Sequence, residues 1–128
     1  MGINEPYEKE ISYGFYIRSD RINSNRGYIV MTYYRHARFH GKVQKILDEE
    51  SDRNHRLISV VMGDMMSRYD MIFEDSKKKY LYIHEYCRRG KTVAEIINYY
   101  TGLGYSLAFH VMGDLATRHE LFFEKEFK

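Results

Sequence analysis

A chain of 128 residues with 44% hydrophobic and 30% charged residues has the size and make-up of one globular domain, which excludes a disordered or fibrous chain. The net charge of +2 neither demands nor forbids nucleic acid. The single cysteine, Cys87, excludes an internal disulfide and a cysteine-based zinc site, and suits a reducing, cytoplasmic setting.

In chain order, alternation and helical spacing predict strands at 11–18 and 27–35, a helix at 39–51, and strands at 57–63, 68–75 and 79–87. A second helix follows at 92–102, then strands at 105–112 and 117–124. Val43, Ile46 and Leu47 form the buried stripe of the first helix, and Val93, Ile96 and Ile97 that of the second. Thr92 and Glu95 are spaced as a capping box, and Gly102 or Gly104 supplies the stop. No run approaches the roughly 20 apolar residues that span a bilayer, and no N-terminal stretch resembles a signal peptide, so no membrane partner is expected.

The strongest signal is an internal repeat. Residues 61–74 reappear as 111–124 with seven of fourteen positions identical, where chance gives about one. The helix stripes keep this spacing. Further upstream the spacing grows by two, matching Tyr28–Tyr34 with Tyr80–Tyr86. The expectation is an α+β fold of internally duplicated strand–strand–helix–strand units. They form a mixed, mainly antiparallel sheet with two helices on one face and a pseudo-twofold relation. A single domain covers 1–128, with repeat 1 at about 10–64, repeat 2 at about 66–114 and a closing strand at about 117–124.

Face assignment suggests an interaction surface. Asp70, Glu74, Glu120 and Glu124 mark an outer face, among which Tyr16, Ile72 and Phe122 project at equivalent positions. Tyr28, Tyr34, Tyr80, Tyr82, His84 and Tyr86 line a tyrosine-rich face opposite the helices. Tyrosine, at 13 copies with no tryptophan, suits a partly wet contact surface. Both Gly-Asp turns, Gly63-Asp64 and Gly113-Asp114, are followed by Arg68 and Arg118, and the glycines suit positive φ.

Arg35 and Arg38 before the first helix, and Arg88, Arg89 and Lys91 before the second, gather positive charge at helix N-termini and form the anion-binding candidates. No nucleophile or metal motif is present, and neither cofactor nor metal is called for. An enzyme assembled from His36, His40, Asp64 and their repeat partners ranks last. The leading expectation is a non-enzymatic binding or regulatory protein, an inhibitor of a partner protein among the options, that forms a homodimer. The alternative is single-stranded nucleic-acid or nucleotide binding by the tyrosines and basic loops. Richness in Lys, Ile, Asn and Tyr suits an AT-rich bacterial or phage source.

Overall fold

The structure is a computed structural model that describes residues 14–23, 28–63, 68–113 and 118–128, with side chains from residue 30 onward. Strands β1 (Gly14–Asn23) and β2 (Tyr28–Ala37) lead through a 3-10 turn (His40–Lys42) into α1 (Val43–Asp52). Then come β3 (His55–Gly63), β4 (Arg68–Asp75), β5 (Tyr80–Cys87), α2 (Gly90–Gly102), β6 (Ser106–Gly113) and β7 (Arg118–Glu126).

Helix α1 forms on the expected stripe. Val43, Ile46, Leu47, Glu50 and Ser51 recur at helical spacing and are all buried. Its α-helical part begins four residues later than expected, because residues 40–42 take the tighter 3-10 turn. Helix α2 begins earlier, at Gly90 after Arg89, so Thr92 lies inside it and its capping box is not formed. Both helices stop alike. Asn54 (φ 59°) and Gly104 (φ 93°) take the left-handed conformation fifty residues apart, each donating its amide back to the last helical turn.

The α+β duplication is present, and the strands divide between two sheets instead of joining one. The first has order β1-β2-β4-β3 and the second β5-β7-β6, and every pairing among them is antiparallel. In each unit a helix connects two strands that run parallel to each other, and the third strand fills the gap between them. The sheets therefore group β2-α1-β3-β4 as the first unit and β5-α2-β6-β7 as the second.

Register settles the equivalence. Tyr34 pairs with Ile72, while His84 pairs with Phe122, so Tyr34 corresponds to His84 at the same spacing of fifty that relates the helices. The two-residue offset expected upstream is absent; a slip of two leaves every side chain on its own face, so alternation cannot detect it. A bulge also recurs, between Leu57 and Ser59 and between Leu107 and Phe109.

The units are not related by a twofold. Tyr69, Met71 and Phe73 of β4 face the stripe of α1, and Phe122 of β7 joins that same core. The helix-side counterparts, Leu121 and Phe123, are buried on the other side of the second sheet, where Tyr100 of α2 lies 4.8 Å from the Phe123 ring. The second unit thus presses its acid-bearing face onto the helix-side face of the first. The two units use different surfaces, a head-to-back contact.

Candidate functional site

The acids of β7, expected to mark an outer face, are instead the polar centre of this contact. Glu120 is fully buried. It accepts from Arg118 Nε at 2.5 Å and Tyr69 Oη at 2.9 Å, and lies 2.7 Å from His84 Nε2. Burial raises its pKa, but hydrogen bonds from His84, Tyr69 and Arg118 outweigh that and hold the carboxyl below its ordinary range. Glu124 accepts both Nε and Nη2 of Arg56, at 3.0 and 2.9 Å, and the Tyr82 hydroxyl at 2.7 Å. The backbone amide of Leu57 in turn donates to Tyr82 Oη.

Glu50 plays the matching part inside the first unit. Arg35 Nη1 donates to it at 2.5 Å and Arg53 Nη1 at 2.9 Å, and His55 Nδ1 lies 2.6 Å away while its ring stacks on Tyr33. Here too burial pushes the pKa up, and His55 and Arg35 bring it below the usual carboxylate range. Helix α1 also closes the free edge of β5. Gln44 Nε2 donates to the Tyr82 carbonyl, the His84 amide donates to Gln44 Oε1, and Ser51 donates to the Tyr80 carbonyl.

These contacts relocate most of the expected interaction surface. Phe122 and Tyr82 are buried between the units, and His84 is bound to Glu120 there. Tyr80 lies under Arg56, and Tyr86 stays exposed beside His40 and Arg118. Tyr34 and Ile72 remain on the outer face of the first sheet, away from the core. The side chains of Tyr16 and Tyr28 lie outside the described residues, and in register Tyr16 pairs with Tyr33, not Tyr34. No continuous Tyr16/Ile72/Phe122 stripe forms, since Ile72 and Phe122 belong to different sheets.

Sequence reasoning missed the open surface. Equivalent residues differ sharply in burial between the units: Leu57 is 2% exposed and Leu107 37%, and half-buried Met62 corresponds to Met112 at 42%. Buried Val60 has exposed His110 as its counterpart, and fully buried Tyr69 has half-buried His119. Helix α1 buries five residues and α2 none. What covers these positions in the first unit is the second sheet, and no described element fills the same seat in the second unit. His110 Nε2 and His119 Nδ1 stand 2.9 Å apart within it. The outer face of the first sheet carries a matching network: Tyr34 donates to Asp70, and Arg68 donates to both, as Arg118, Glu120 and His84 are joined on the face already seated.

The anion-binding candidates part company. Arg35 is buried in its pairing with Glu49 and Glu50, whereas Arg38, Arg88, Arg89 and Lys91 are exposed, the last three at the start of α2. Asp64 and Asp114 lie outside the described residues; Arg68 and Arg118 pair with Asp70 and Glu120, two residues on. Gly63 and Gly113 do not have the expected positive φ. They give room instead: a Cβ on Gly113 would lie 3.1 Å from Glu120 Oε2 and from Met62 Cε, and one on Gly63 3.2 Å from Asp70 Oδ2. Among the described residues no three His, Cys, Asp or Glu side chains are grouped to hold a metal, and no helix is long and apolar enough to cross a membrane. Compared with known proteins, the chain matches no family model, curated sequence or solved structure.

Proposed function

We propose that this chain is a non-enzymatic binding protein that acts through protein–protein contact, with the unfilled seat of its second unit as the contact face. The observation that carries this is the contrast at equivalent positions, above all Leu57 against Leu107 and Val60 against His110. A face that exposes Leu107 and Met112 around two histidines, and whose twin is a finished core, is a surface built for coverage.

A second copy is the occupant we favour. Its first sheet offers Asp70, Ile72 and Tyr34, the counterparts of Glu120, Phe122 and His84 that already sit on the first unit. Asp70 of that copy would meet His119 where Glu120 meets Tyr69. The edge of β5 needs Gln44 and Ser51 of α1, while the edge of β2 is already paired with β1, so the copy would sit on the β3–β4 side.

Sedimentation equilibrium of the wild type beside Leu107→Glu/Met112→Glu tests this. Both residues are exposed, so at concentrations where both proteins are monomeric the variant keeps the melting temperature of the wild type. The wild type is expected to associate at micromolar concentration and the variant to remain monomeric. A wild type that stays monomeric at high micromolar concentration, or a variant that associates equally, contradicts the proposal.

Single-strand stacking on the tyrosine face is at odds with the packing between the units. Tyr82 and His84, central to its stacking platform, are held between the units.

A further inference from the structure

His110 of β6 and His119 of β7 stand on the seat of the second unit, the first exposed and the second half-buried. Their facing nitrogens, His110 Nε2 and His119 Nδ1, are 2.9 Å apart, the ring centroids 5.2 Å apart, and the planes 13° from parallel. The centroid spacing exceeds the nitrogen spacing by two ring radii, so the rings meet edge to edge and share one proton. Among the described residues neither ring has another hydrogen-bond partner. Two imidazole nitrogens so placed match neighbouring ligands of one zinc-type ion, which takes each at about 2.0–2.1 Å and so sets them about 3 Å apart. The ion would take the place of the shared proton.

The pair belongs to the second unit alone, since its counterparts in the first are Val60 and Tyr69. In the contact already formed, Tyr69 Oη donates to Glu120 at 2.9 Å. At the second seat the corresponding residues are His119 and Asp70 of the next copy. Both are shorter, an imidazole in place of a phenol and an acid with one methylene less. At the same spacing between sheets they stop short of each other, and His110, longer than Val60, reaches toward the gap. Asp70 has an oxygen to offer there. Tyr34 and Arg68 both donate to its Oδ1, and Oδ2 accepts no hydrogen bond among the described residues.

We propose that a divalent transition metal of the zinc type closes the contact between copies, held by His110 and His119 of one and Asp70 of the next. This site rests on the copy-to-copy contact proposed above and makes that contact metal-dependent. Within one chain the described residues supply only two ligands to it, and the third arrives with the second copy. Metal and partner therefore each strengthen the binding of the other.

Sedimentation equilibrium in EDTA and in zinc chloride tests this with wild type, His110→Ala/His119→Ala, Asp70→Asn, and an equal mixture of the two variants. Melting temperatures in EDTA at low micromolar concentration check that the variants fold. Zinc is expected to tighten wild-type association at least about tenfold over EDTA and to leave each variant alone unchanged. In the mixture an intact histidine pair meets an intact Asp70, so zinc-dependent association should return. A wild type that associates equally in EDTA and in zinc overturns the metal and leaves the seat standing. One that stays monomeric in both overturns the metal and the seat together. A zinc effect that survives in His110→Ala/His119→Ala, or a mixture that does not recover it, overturns the shared site.

Discussion

Glu120 shows how one residue changes meaning with its surroundings. By sequence it is an acid alternating with apolar residues on a strand, the mark of a solvent-facing side chain. In the fold it is buried and held by Arg118, Tyr69 and His84. Removing one partner of a buried ion pair costs about 3–5 kcal/mol, so Glu120→Ala should lower the unfolding free energy by that order in urea titrations.

The pH dependence follows with a definite sign. Glu120 and Glu50 have native pKa values below their unfolded ones. Between the two values the unfolded chain binds more protons, so stability is complete above the unfolded carboxyl range and falls as pH drops through and below it. Tyr69 and Tyr82 run the other way. Burial first, then Glu120 and Glu124, raise their pKa values, so stability holds below the ordinary tyrosine range and declines as pH rises above it. Melting temperature against pH should show a plateau bounded by both limbs, and Tyr82→Phe should reduce the alkaline one. The paired glycines allow a finer comparison. Gly113→Ala crowds buried Glu120 and Met62 and should cost about 1–3 kcal/mol, and Gly63→Ala, beside half-exposed Asp70, clearly less.

At the scale of elements, strands and helices were legible because local chemistry sets them. The predicted strand 68–75 matches β4 end for end, and both helix stops fall where Asn54 and Gly104 tolerate positive φ. The offset of β2 against β5 was not legible, since tyrosines at alternate positions align equally well after a slip of two. The burial of α1 was not legible either. Its apolar stripe resembles that of α2, yet five of its residues are buried and none of those of α2, a difference set by the second sheet. Gln44 marks the join, bridging a carbonyl and an amide of β5 much as a neighbouring strand would. Gln44→Ala should cost about 1–3 kcal/mol by leaving those groups unpaired and should speed amide exchange at His84; unchanged exchange there would contradict the edge-closing role.

For the whole molecule, duplication was legible and its geometry was not. Segments such as 61–74 and 111–124, identical at seven of fourteen positions, carry no mark of which copy faces inward, because that follows from stacking between distant residues. Head-to-back stacking has a consequence that twofold pairing lacks. A twofold buries the same surface on both units, whereas a stack always leaves one free seat and one free seating face. Here these are the Leu107/His110/Met112/His119 side of the second unit and the Tyr34/Asp70/Ile72 side of the first.

The most direct test is a dilution series of amide NMR spectra from millimolar to low micromolar protein. Resonances of Leu107, His110, Met112 and His119 should shift together with those of Tyr34, Asp70 and Ile72, two surfaces of one chain responding to a single equilibrium. Spectra that do not change with concentration, or shifts confined to one of the two surfaces, would contradict the account.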